Sequence, residues 1–197
     1  MELHSLLGQH PGSPEVDALL VETAAALHKK NNNNTTTGAT SAVPRPTVKI
    51  YKDAVYYSYP SFGISFNYEP SQPLIPSVYT NSTPDPSVLR LVAIHLYRSP
   101  ADKYETFPLT FVIPKKPTTS NSTTEPREFV KMDMEKKGHE VVQLLGEPEE
   151  KQGGGRKGNC WVGYGRTTGV SMDFAGGSWE DREMGLACLT IALPTSI

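Results

Sequence analysis

Cysteine is scarce in this chain of 197 residues: Cys160 and Cys188 are the two present. Two thiols cannot staple a disulfide scaffold, so reduced cysteines in an intracellular compartment are expected. Basic charge is not in excess either. Nineteen Lys and Arg face 21 Asp and Glu, a net charge of -2, which leaves little to drive phosphate contacts and excludes nucleic acid as the expected partner. No run approaches the roughly 18 apolar residues of a membrane helix. The stretch from Met1 to Gly8 carries an acid at position two and no apolar run of signal length. The expectation is a cytoplasmic protein, with the nucleus as alternative, neither secreted nor membrane-bound. Asn33, Asn34, Asn81 and Asn121 head Asn-x-Ser/Thr sequons and, without a secretory signal, read as polar loop residues. Apolar residues make up 37% and aromatics 9%, enough for a core but lean, because polar inserts dilute them.

What the chain does have is an echo. Gly63-Ile64-Ser65-Phe66-Asn67-Tyr68 returns as Gly169-Val170-Ser171-Met172-Asp173-Phe174. In each copy a glycine precedes strict apolar/polar alternation, the mark of a half-buried strand. Other landmarks recur in the same order. Leu6-Leu7-Gly8 with Pro11 matches Leu144-Leu145-Gly146 with Pro148. The hairpin 54–68 matches 160–174, and Ala93-Ile94-His95-Leu96 matches Cys188-Leu189-Thr190-Ile191. Ser13-Pro14-Glu15 is a strong helix start, and Val16, Leu19, Leu20, Ala24 and Leu27 follow at helical spacing, predicting a helix over 14–29. Val141, Val142, Leu144 and Leu145 form a second helical stripe.

The domain reading follows. Residues 1–115 form a first α/β repeat, holding a disordered Asn/Thr insert at about 31–45 and an insert at 70–87 with five prolines. Residues 116–128 are a linker and 129–197 a second repeat. Neither copy can bury a sheet face alone. The fold class expected is α+β: two helix-plus-three-stranded antiparallel repeats sharing one sheet, with the helices on one face and long polar inserts.

A helix ending in Leu-Leu-Gly-x-Pro, then a glycine-linked hairpin and a third strand, resembles the repeat of the small outer-membrane lipoprotein (BamE/SmpA) group. The segment Gly138 to Pro148 carries the best match, and Leu6, Leu7, Gly8 and Pro11 carry the first copy's. The tandem layout resembles the two-repeat proteins of the beta-lactamase inhibitory protein type, and uncharacterised fungal and bacterial two-repeat proteins. The resemblance implies one curved sheet. It carries over no functional residue, and outer-membrane or lactamase roles are not implied.

Strand parity gives the faces. Pairing Tyr59 with Ile64 sets Tyr57 against Phe66 and Val55 against Tyr68. The same scheme in the second copy sets Trp161 against Phe174 and leaves Gly163 opposite Met172. The opposite face then collects Tyr56, Ser58, Ser65, Asn67, His95, Tyr97, Val162, Tyr164, Ser171, Asp173 and Thr190. Tyrosines among small polar groups suit a binding surface, and the candidate binding residues are Tyr56, Asn67, His95, Tyr97, Tyr164, Asp173 and Thr190. An ordinary solvated sheet face is the plainer reading of the same pattern.

Catalytic signals are weak. Gly158-Asn159-Cys160-Trp161 opens a strand and no histidine follows it, so a cysteine nucleophile is not expected. Gly153 to Gly158 lacks the Gly-Lys-Ser/Thr order of a phosphate loop. His4, His10, His28, His95 and His139 show no metal-ligand spacing. No metal, cofactor or catalytic residue is assigned. The expected function is a non-catalytic protein-binding or adaptor module, inhibitor- or immunity-like, working as monomer or weak dimer through the open sheet face. The alternative is a small-ligand protein or enzyme with a site between the repeats, built on His95, Asp173 and tyrosines.

Overall fold

The structure, a computed structural model of the chain, describes residues 1–31, 42–79, 82–98, 103–115, 128–153 and 160–194. Most of the expected disordered insert and nearly all of the expected linker lie outside those residues. Helix α1 (Pro14–Asn31) begins where Ser13-Pro14 places it, with the Ser13 hydroxyl accepting from the Val16 amide at 3.4 Å. Its stripe of Val16, Leu19, Leu20 and Ala24 is buried as the spacing predicts. Helix α2 (Gly138–Leu145) buries Val141 and Leu145 and stops at Gly146, which has a positive φ.

Strands dominate. In chain order they are β1 (Thr47–Ile50), β2 (Val55–Tyr59), β3 (Ile64–Pro70), β4 (Leu89–Tyr97), β5 (Phe111–Pro114), β6 (Phe129–Met132), β7 (Glu150–Gln152), β8 (Cys160–Tyr164), β9 (Val170–Ala175) and β10 (Gly185–Ala192). Eight form one antiparallel sheet in the order β1-β2-β3-β4-β10-β9-β8-β7, while β5 and β6 pair separately. One apolar cluster joins the inward side chains of the large sheet to α1, α2, β5, β6 and the turn at Leu3–Leu6. All of this cover therefore lies on one face of the sheet.

The expected arrangement of two helix-plus-three-strand repeats is overturned. The described residues hold two α-helices against ten strands, and each half of the chain gives four strands to the large sheet. Helix α1 has no counterpart among the described residues of the second half, and the turn at Leu3–Leu6 is 3-10 rather than α-helical. Strand β7 has no readable pattern because Glu150-Lys151-Gln152 is polar and exposed throughout. It is a strand only because its backbone pairs with β8.

The first hairpin has the expected register, with Tyr59 opposite Ile64, Tyr57 opposite Phe66 and Val55 opposite Tyr68. The second does not. Cys160, Val162 and Tyr164 sit opposite Phe174, Met172 and Val170, and Trp161 sits opposite Asp173. The connection 165–169 is one residue longer than 60–63, and a one-residue slip sends every side chain of a strand to the other face. Val162 and Tyr164 therefore belong to the core, and Trp161 and Gly163 to the open side. The echo itself is structural. Gly63 and Gly169 have φ of 67° and 70°, a region that costs other residues strain. A Cβ on either would run into backbone, that of Glu105 to Phe107 for Gly63 and of Ala192 for Gly169.

No helix among the described residues is long and apolar enough to cross a membrane. The register is tested by a pair of substitutions. Val162→Asp puts an unpaired charge in the core and should cost more than about 4 kcal/mol, enough to unfold the chain. Trp161→Gln should change stability by no more than about 2 kcal/mol. Urea melts reporting the reverse order would refute the assignment of faces. Phe66→Asp and Phe174→Asp, at fully buried positions, should unfold the chain as Val162→Asp does.

Candidate functional site

The open face is ordered in rows that run across the strands. One row takes a residue from each of the eight: Thr47, Ser58, Ser65, His95, Thr190, Ser171, Gly163 and Glu150. On one side of it lie Tyr56, Asn67, Ala93 and Ala192. On the other lie Tyr97, Cys188, Asp173 and Trp161. About the central His95–Thr190 pair, Ser65 answers to Ser171, Asn67 to Asp173 and Tyr56 to Trp161. One-residue bulges at Val92 and Ala187 fall at matching places. They restore Leu91 and Leu186 to the core side, which strict alternation would have turned outward.

Of the seven candidate residues, Tyr56, Asn67, His95, Tyr97, Asp173 and Thr190 share this face. Tyr164 does not. It is fully buried, its hydroxyl donates to the Gly146 carbonyl at 2.9 Å, and burial, helped by the Glu147 charge, pushes its phenol up to about 12. Trp161 takes its place. Its signal was present in the sequence, since Cys160, Val162 and Tyr164 alternate as an inward set. The indole lies back over Gly163, where an added Cβ would stand 2.8 Å from Cη2. Beside it is a hollow of about 150 Å³ lined by Glu150, Trp161, Gly163, Gly165, Arg166 and Ser171.

The imidazole of His95 shares a hydrogen bond with the Thr190 hydroxyl through Nδ1, at 3.0 Å. Its Nε2 is shielded and, like Oδ1 of Asn67, has no hydrogen-bond partner among the described residues. The Tyr56 ring stacks on the imidazole with centroids 6.4 Å apart and planes 30° apart, and Tyr51 meets Tyr56 edge-on at 5.8 Å. Tyr97 stacks on Tyr104 at 3.9 Å. Ser58 and Ser65 share a hydrogen bond at 3.1 Å. Burial holds His95 below its ordinary value and raises the Asp173 carboxyl above its own.

His95 and Asp173 do not form a dyad. Strand β10 runs between them, and they are offset by two residues along it, which places their backbones about 10 Å apart or more. The hollow beside Trp161 is smaller than the ~300 Å³ lower bound of ordinary small-molecule sites. Trp179 packs against the sheet. Its ring meets Phe174 at 6.2 Å and its indole N–H donates to the Gly153 carbonyl at 3.2 Å. Cys160 is a small buried core residue. Among the described residues no group of three or more His, Cys, Asp and Glu is placed to hold a metal ion. Comparison with protein-family models, curated proteins and solved structures gives no match.

The two titrating groups of this face act on stability with opposite signs. Asp173 has a raised folded pKa, so the native state takes up its proton first as pH falls. Its burial is costly at neutral pH and relieved in acid. Asp173→Asn should raise the melting temperature at pH 7, with the gap closing as pH falls through the carboxylate range. His95 has a lowered folded pKa, so stability present above its ordinary 6.5 is lost as pH drops below it. His95→Gln should flatten that loss. Melting curves between pH 4 and 8 check both (roughly the span these groups titrate over), and a destabilised Asp173→Asn at pH 7 contradicts the burial argument.

Proposed function

We propose that this chain is a non-catalytic, intracellular protein-binding module, of adaptor, inhibitor or immunity type, that engages its partner through the open face of the large sheet. One observation carries the reading. Among the described residues the apolar cluster lies on one side of the sheet, and the other side sets the half-buried rings of Tyr56, Tyr97 and Trp161 around small side chains, with Tyr104 stacked on Tyr97. Aromatic side chains with a stiff apolar body and a polar tip are the residues that anchor protein interfaces, and small neighbours let a partner come close. The separation of His95 from Asp173 argues against the alternative of an enzymatic site at the junction of the two halves, because no general acid and base converge there.

The test is an affinity capture from the native cell with the wild-type chain and with Tyr56→Glu and Trp161→Glu. Both substitutions lie on the open side, so melting temperatures should stay close to wild type. Partners captured by the wild type should be lost from both variants. Full recovery of the same partners by folded variants removes the open face from the interaction.

A further inference from the structure

Resting on that protein-binding reading, we propose that the Asp173 end of the open face receives a basic side chain, lysine or arginine, presented by the partner protein. Asp173 makes no hydrogen bond or ion pair among the described residues. The acid–base pairs among the described residues lie elsewhere: Arg98–Glu135, Lys115–Glu128, Lys136–Glu140, Lys137–Glu183 and Arg166–Glu150. Arg166, the basic group lining the hollow beside Trp161, is engaged by Glu150 at 3.4 Å and is exposed. Among the described residues Asp173 is thus a half-buried carboxylate with no countercharge.

Its neighbours narrow what can supply one. Trp161 stands directly across on β8. Cys188 stands across on β10, with Tyr97 beyond it stacked on Tyr104. A cation brought onto this carboxylate, next to the strand position of Trp161, gains a charge-assisted hydrogen bond. An anionic group would be repelled. A neutral apolar group would leave the carboxylate desolvated and unpaired, the least favourable arrangement for a charge. The matching end of the face carries Asn67 and Tyr56 where this end has Asp173 and Trp161. The two ends therefore differ in chemistry, with the carboxylate at one and the amide at the other, and the partner has a defined orientation.

The probe is N-acetyl-arginine amide, titrated into the full chain under proton–nitrogen NMR, with the neutral isostere N-acetyl-citrulline amide as control. The arginine compound should move the Trp161 indole resonance and the amides of Asp173 and Thr190, saturably, and citrulline should not. Asp173→Asn should weaken the arginine response about tenfold while the chain stays folded. Equal responses to the two compounds, or an Asp173→Asn variant that binds arginine as tightly as wild type, overturn the proposal. The capture experiment separates this from the broader reading. Partners lost with Tyr56→Glu but kept with Asp173→Asn leave a protein-binding face without a basic anchor. Partners kept by every variant remove both.

Discussion

The pairing of β4 with β10 is the constraint on which the rest of the molecule depends. It joins a four-stranded meander from the first half of the chain to one from the second, and these are the two longest strands. On the inner side of the join Ile94 meets Ile191 and Leu96 meets Leu189, all fully buried. Without that contact each meander would end in an unpaired edge, and the shared apolar cluster would be split beneath it. Because contacts across the join link residues about 95 positions apart, as in the His95–Thr190 bond, the large sheet closes only after a long loop has been drawn in. That is the costly kind of contact for a folding chain.

The same join writes the outer surface. Once His95 is set opposite Thr190, the register of every other strand follows, and each outward residue takes its place in a row. Aromatic groups come to lie toward both flanks and small side chains toward the middle. The two halves agree in pattern and differ in chemistry, since an amide and a tyrosine on one flank become a carboxylate and a tryptophan on the other. A surface built this way has direction, though the backbone beneath it is close to symmetric.

Much of this was legible from the residues. Helix α1 declared itself through Ser13-Pro14 and its apolar spacing, and the first hairpin through alternation about a glycine. Asn67, His95, Asp173 and Thr190 were assigned to the outer face by parity alone. The errors have physical causes. In the second hairpin Trp161, the largest apolar side chain, was counted as core, whereas Cys160, Val162 and Tyr164 fill that side and the indole rests on Gly163 outside. The bulges at Val92 and Ala187 break the period of two on which parity reasoning relies. Strand β7 has no pattern of its own and exists through its neighbour's hydrogen bonds. The balance of helix to strand departs from the repeat pattern because the Leu-Leu-Gly echo ends a 3-10 turn in one half and an α-helix in the other, while the hairpins and central strands recur.

The two outermost strands have a consequence for the molecule in company. A row of unpaired backbone groups at a sheet margin invites a neighbouring chain to extend it. Here one margin is the four-residue β1, entered through Pro44 and Pro46 and carrying Lys49. The other is the three-residue β7, Glu150-Lys151-Gln152. Brevity, proline and charge make both poor templates for growth. A protein whose borders resist stacking in this way can leave a broad aromatic surface uncovered without polymerising through its edges.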